Sequence, residues 1–183
     1  MSEQRYFYPT KKTTLATRIF RIISMILVTG GTGLVGSHLL YQLTLENDIV
    51  KAMYRSEEKL NDVKRVFSYF AKNIDDQFSK IQWVKADITD TPSLEAVFAD
   101  VDIVYHVAAL VSFNPKDYRA MRQINIDGTA NIVNFCISNT IKKLCFVSSI
   151  AAIGEANNGN MTTEENNVDV IFEAVYNLLK GNL

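Results

Sequence analysis

The chain has almost no net charge of either sign: 19 Lys and Arg stand against 20 Asp and Glu, a formal net charge of -1 over 183 residues. That balance gives no global attraction for nucleic acid or an anionic membrane, and neither partner is expected. Cysteine is scarce. Cys136 and Cys145 are nine residues apart in segments that read as helix and strand, with neither metal-ligand spacing nor a disulfide framework. Both are therefore expected as buried thiols of a cytoplasmic protein, and no metal site is expected. Long apolar runs are also missing. A bilayer span needs about 20 apolar residues, and Arg21 and the glycines interrupt the stretch from Ile19 to Val35. No Gly-Lys-Ser/Thr follows the glycines, which argues against a phosphate-loop nucleotide hydrolase.

The length supports one well-buried domain rather than two. Residues 1–24 carry Arg5, Lys11, Lys12, Arg18 and Arg21 against Glu3 alone. They have no separate apolar core followed by a small-residue cleavage site, so they read as a basic N-terminal arm rather than a targeting segment. The domain is expected over residues 25–183.

Its organising stretch is Met25 to Gly36, M-I-L-V-T-G-G-T-G-L-V-G. A short apolar run of strand composition leads into Gly30, Gly33 and Gly36, and then into Leu34, Val35, Leu39 and Leu40 at helical spacing. A turn that brings backbone N–H groups against a pyrophosphate has no room for Cβ atoms, and a helix N-terminus supplies unpaired donors. The spacing G-x-x-G-x-x-G differs from the general dinucleotide fingerprint G-x-G-x-x-G. Taken alone, it also fits a strand-to-helix loop with no ligand.

The pattern that follows alternates strand and helix. Leu34 to Glu46 reads as helix and Ile49 to Tyr54 as strand. A charged amphipathic helix follows over Ser56 to Phe70, then strand Ile81 to Ala86 and a helix capped by Thr91 with Pro92 at its first position. Strand Ile103 to Val107 precedes a long helix from Tyr118 to Asn139, with Asn125 and Gly128 on it, and Leu144 to Val147 makes a fifth strand. Gly128 within a helix implies close packing against a neighbour. Alternation of this kind predicts a Rossmann-type doubly wound parallel sheet with ligands at the carboxyl ends of the strands. At the end of the second strand stands Arg55, where a carboxylate for a ribose 2′-OH is usual. A guanidinium there suits a 2′-phosphate and favours NADP over NAD, or else is a solvated residue at a strand end.

With these residues in view the chain resembles the extended short-chain dehydrogenase/reductase family, and in particular its NAD(P)-dependent epimerase/dehydratase and dihydroflavonol-reductase-like members. T-G-G-T-G-L-V-G at 29–36, Asp87-Ile88, H-V-A-A at 106–109, N-I-D-G-T at 125–129 and V-S-S-I-A-A-I-G at 147–154 carry the resemblance. It implies a sheet order of 3-2-1-4-5 and cofactor contacts from Gly30, Thr32, Gly33, Leu34, Val35, Gly36, Arg55, Asp87, Ile88, Ala108 and Ala109. It also implies a catalytic serine, Ser149, and a bracing asparagine, Asn125. Tyr176 and Lys180 are placed as the proton-transferring tyrosine and the lysine that lowers its pKa. Val111, Ser112 and Phe113 would line the substrate side. The motif Y-x-x-x-K also occurs at Tyr8 and Lys12, and the tail around Tyr176 reads equally as an apolar helix covering the sheet.

Family members run well past residue 183, so a C-terminal substrate domain is expected to be absent and the exposed sheet to favour self-association. Two functions stay open. One is an oxidoreductase or epimerase/dehydratase, or a piece of one, acting on a carbonyl or sugar-nucleotide substrate. The other is a non-catalytic dinucleotide-binding module.

Overall fold

A computed structural model describes residues 24–149. Nearly all of the basic arm, and Tyr176 and Lys180, lie outside the described residues. The chain alternates β1 (Ile26–Thr29), α1 (Leu34–Glu46), β2 (Val50–Tyr54), α2 (Lys59–Ser68), α3 (Asp75–Phe78), β3 (Ile81–Lys85), α4 (Thr91–Phe98) and β4 (Ile103–His106). A 3₁₀ turn (Pro115–Asp117), α5 (Tyr118–Arg122), a π-helical turn (Gln123–Gly128), α6 (Thr129–Ser138) and β5 (Lys143–Phe146) complete it. All four strand pairings are parallel, as the alternation predicts, and the order is β3-β2-β1-β4-β5, as the resemblance implies.

A parallel sheet with helices on both faces needs strands that are apolar on both sides, and β1 is buried along its whole length. Its residues feed two separate cores. Ile26 and Val28 join Leu40, Tyr41, Ala52, Val63 and Phe67 beneath α1 and α2. Leu27 joins Leu94, Val97, Phe98, Val104 and Ile132 beneath α4 and α6. Lys51 is buried in β2 because its ammonium donates to the Val97 and Ala99 carbonyl oxygens at the C-terminal end of α4, at 3.1 and 2.8 Å. Those are carbonyls that a helix end leaves without partners. Burial lowers the Lys51 pKa.

The structure corrects several expectations. α2 starts at Lys59, since Ser56 to Glu58 form a turn in which the Ser56 carbonyl accepts from Lys59 N–H at 3.2 Å. The cap of α4 is Asp90, one residue before Thr91. α3, a single turn, was not read from the sequence at all. The helix expected over 118–139 is divided by the π-helical turn. Cys136 is buried and burial pushes its thiol up to about 12, but Cys145 is exposed. It lies on β5, an outer strand of the described sheet, paired opposite Tyr105 of β4. Gly128 packs as expected, and its neighbour is Ile88: a Cβ at Gly128 would stand 2.6 Å from the Ile88 Cδ1 atom. Among the described residues no helix is long and apolar enough to cross a membrane.

Phe98 is fully buried, with its ring 5.2 Å from that of Phe135. Truncation there removes a large apolar side chain from a close-packed core. Phe98→Ala is expected to lower the unfolding free energy by about 3–5 kcal/mol in urea titration. A loss below about 1 kcal/mol would show that this core does not depend on it.

Candidate functional site

The carboxyl ends of β1, β2 and β4 open onto a cleft of about 740 Å³. Its floor is the glycine loop. Gly30 has φ +67°, a left-handed conformation that favours glycine, and a Cβ there would lie 2.6 Å from the Ala108 backbone nitrogen. A Cβ at Gly36 would run into the Gly30 carbonyl oxygen, so α1 sits directly on the loop. Gly33 caps α1 without any side-chain hydrogen bond, and the first turn holds no acidic residue. The first N–H groups of a helix have no intrahelical partners. A helix start with no side-chain cap, beside a loop in which Thr32 alone carries a Cβ between Thr29 and Leu34, fits the pyrophosphate of a dinucleotide.

Behind the loop, Thr29 ends β1. Its hydroxyl oxygen accepts from the Val107 and Ala108 N–H groups at 3.2 and 3.3 Å. The hydroxyl proton is thereby directed to Nδ1 of His106, 2.6 Å away. His106 then carries its proton on Nε2 and donates to the Thr129 hydroxyl at 3.0 Å. The ring is buried, and burial lowers its pKa from 6.5 to about 4. Nothing in the period of the sequence announces this chain. His106 stands out only as a polar residue ending an apolar strand.

The π-helical turn carries Asn125. Its side chain accepts from the Leu110 N–H at 2.8 Å and donates to the Leu110 carbonyl at 2.9 Å. Both polar ends of the amide are thus committed to the loop after β4. In that loop Ser112 donates to Asp117 at 2.6 Å, while Val111 and Phe113 are exposed.

At the far end of the cleft Arg55 faces Asp87, with 3.7 Å between guanidinium and carboxylate. β2 ends without a carboxylate of its own, but β3 delivers one to the same place. The other Asp87 oxygen accepts from the Thr89 N–H and hydroxyl at 2.9 and 2.8 Å. Burial opposes ionisation of Asp87, while the Thr89 hydrogen bonds and Arg55 outweigh it, leaving the pKa lowered. Lys59 and Arg65 of α2 line the same end of the cleft. The sequence pattern does not single them out, because residues six apart lie on different faces of an α-helix.

Of the residues expected around a cofactor, Gly30, Thr32, Gly33, Leu34, Arg55, Ile88, Ala108 and Ala109 line the cleft, and Ile124 joins them. Val35, Gly36 and Asp87 are not among the lining residues. Ser149 is exposed just beyond the end of β5.

Fold and cleft together define a Rossmann-fold domain of the short-chain dehydrogenase/reductase class. The sequence model of the 3-beta hydroxysteroid dehydrogenase/isomerase family matches residues 27–182, and the chain belongs to that family. UDP-glucose 4-epimerase 2 of Oryza sativa subsp. japonica is 32% identical over 149 residues, 78% of this chain and 35% of that protein. Anthocyanidin reductase of Arabidopsis thaliana is 29% identical over 153 residues, 79% of this chain and 42% of that protein. Gre2 of Candida albicans, solved in complex with NADPH, shares the fold with a TM-score of 0.68 at 19% identity, over 87% of this chain and 54% of that one. The chain thus spans well under half the length of the curated relatives it matches.

The His106 shift makes stability depend on pH. The unfolded imidazole takes up a proton near 6.5 and the folded one only near 4, so the contribution is complete above about pH 6.5 and is lost as the pH falls toward 4. A loss on the order of 3 kcal/mol is expected between pH 7.5 and 4, measured by urea unfolding. His106→Gln should flatten that part of the profile, and an unchanged profile would show that His106 is not its source.

Proposed function

We propose that this domain binds a nicotinamide dinucleotide, with NADP preferred over NAD, and serves an oxidoreductase or epimerase/dehydratase reaction at a carbinol or carbonyl carbon. The observation that carries the reading is the uncapped start of α1 over the glycine loop, at one end of a cleft whose other end is cationic. The loop at Gly30 to Leu34 holds the pyrophosphate, Ala108 and Ala109 flank the nicotinamide half, and Arg55 meets the 2′-phosphate of the adenosine ribose. When bound, the cofactor supplies a hydride acceptor or donor.

The remaining roles belong to side chains of this chain. Ser149 hydrogen-bonds the substrate oxygen. Tyr176 moves the proton as general acid or base, because an unperturbed phenol with a pKa of about 10 is a poor base at neutral pH and the ammonium of Lys180 lowers it. Asn125 holds the loop after β4 through Leu110, which fixes the wall beside the reacting centre. A small-molecule alcohol, ketone or sugar-nucleotide is the substrate class. A carbonyl and sugar-nucleotide panel separates this reading from a binding module without turnover.

Two substitutions test the assignments. Arg55→Ala is expected to weaken NADPH binding by roughly tenfold and to leave NADH within about twofold, as read by quenching of protein fluorescence. Equal losses for both cofactors would remove the 2′-phosphate role. Tyr176→Phe is expected to abolish turnover while cofactor binding stays intact. Unchanged turnover would overturn the proton-transfer role.

A further inference from the structure

The charged side chains that line the cleft all sit at one end. Arg55 comes from the end of β2, and Lys59, Asp62 and Arg65 come from successive turns of α2. Asp62 stands between two cations: one carboxylate oxygen lies 3.1 Å from the Lys59 ammonium and the other 3.0 Å from the Arg65 guanidinium. The hydrogen bond from Lys59 and the neighbouring positive charges keep its pKa low, so it is ionised at neutral pH. The wall therefore presents three cations, Arg55, Lys59 and Arg65, against Asp62, with Asp87 beside Arg55 as a second anion, and the remaining excess of one positive charge attracts a phosphate monoester carrying a charge of about -2 at pH 7.

We propose that Asp62 and Arg65 set how strongly this cleft discriminates a 2′-phosphorylated dinucleotide from its unphosphorylated counterpart. Arg65 acts as a long-range attracting cation and Asp62 as a built-in counter-charge that holds the attraction down. The proposal rests on the dinucleotide reading above and goes beyond it in assigning selectivity to side chains of α2 as well as to Arg55 at the strand end. Lys59 and Arg65 are six residues apart, about 9 Å along the helix axis, so a single ligand phosphate beside Arg55 cannot pair closely with both. Their side chains are 62% and 68% exposed, and exposed ion pairs are weak. A ligand phosphate can therefore draw Lys59 away from Asp62 at little cost. The carboxylate stays on the helix and repels the incoming dianion, because the charges act through space over a distance comparable with the Debye length.

The test uses the full chain and two adenosine-end probes, 2′,5′-ADP and 5′-AMP, with dissociation constants from isothermal calorimetry at low and moderate salt. Asp62→Asn is expected to tighten 2′,5′-ADP by roughly threefold to tenfold, and Arg65→Gln to weaken it by a similar factor. 5′-AMP should stay within about twofold in both, and both effects should shrink as salt rises. An unchanged ratio of the two probes in both variants would overturn the proposal while leaving the dinucleotide reading in place. Weaker 2′,5′-ADP binding by Asp62→Asn would also overturn it, since Asp62 would then be aligning the cations rather than opposing the ligand. If the unaltered chain bound neither NADPH nor NADH, the dinucleotide reading would fall and this proposal with it. Arg65 is exposed and Asp62 partly exposed on α2, and matching thermal unfolding of the two variants establishes that they are folded.

Discussion

The hydrogen-bond chain from Thr29 through His106 to Thr129 is the constraint on which the rest of the site depends. It joins the last residue of β1, the last residue of β4 and the first residue of α6, three elements from distant parts of the sequence. A buried imidazole is costly unless both nitrogens are paired. Here they are paired in a way that admits one tautomer, because the Thr29 oxygen is already occupied by two backbone donors. The ends of β1 and β4 are thereby held together at the point where Gly30 must pass Ala108 at close range. The glycine loop keeps its shape because the strand ends beneath it cannot drift apart.

The two ends of the cleft use different physics. The glycine loop presents backbone donors where Gly30 and Gly36 leave no room for a Cβ. The Arg55 end presents exposed charges whose individual pairs are weak. In the dinucleotide reading proposed above, change at the first end alters whether a ligand fits, whereas change at the second alters which of two similar ligands is preferred. The same fold can therefore be retuned at the β2 edge without disturbing the loop, and related proteins of this architecture act on compounds as unlike as their names indicate.

Much of the fold was legible in the sequence because its elements are short and sharply bounded. The apolar run before Gly30, the turns after Glu46 and Tyr54, and Pro92 near the start of α4 all act locally, and local signals survive without knowledge of the tertiary neighbours. The glycine loop and Arg55 were legible for the same reason. What escaped is what tertiary contact decides. Asp87 reaches Arg55 only because β3 lies beside β2, and the exposure of Cys145 follows from β5 being an outer strand of the described sheet. Lys59 and Arg65 looked like ordinary solvated charges until α2 was seen to flank the cleft. The break in the helix after Arg122 left no mark in the apolar pattern that was read as one helix over 118–139.

That break changes the phase of the helix. Met121, Ile124, Asn125 and Gly128 turn inward on one register, and Thr129, Ile132, Val133 and Cys136 repeat the same spacing one residue late. A π-helical turn takes up one extra residue, a rotation of about 100° relative to an unbroken α-helix. The same rod reaches the loop after β4 through Asn125 and the buried His106 through Thr129, and its inward face then resumes one residue later. An uninterrupted α-helix that continued the register of Asn125 would turn Asn131 and Phe135 inward in place of Val133 and Cys136.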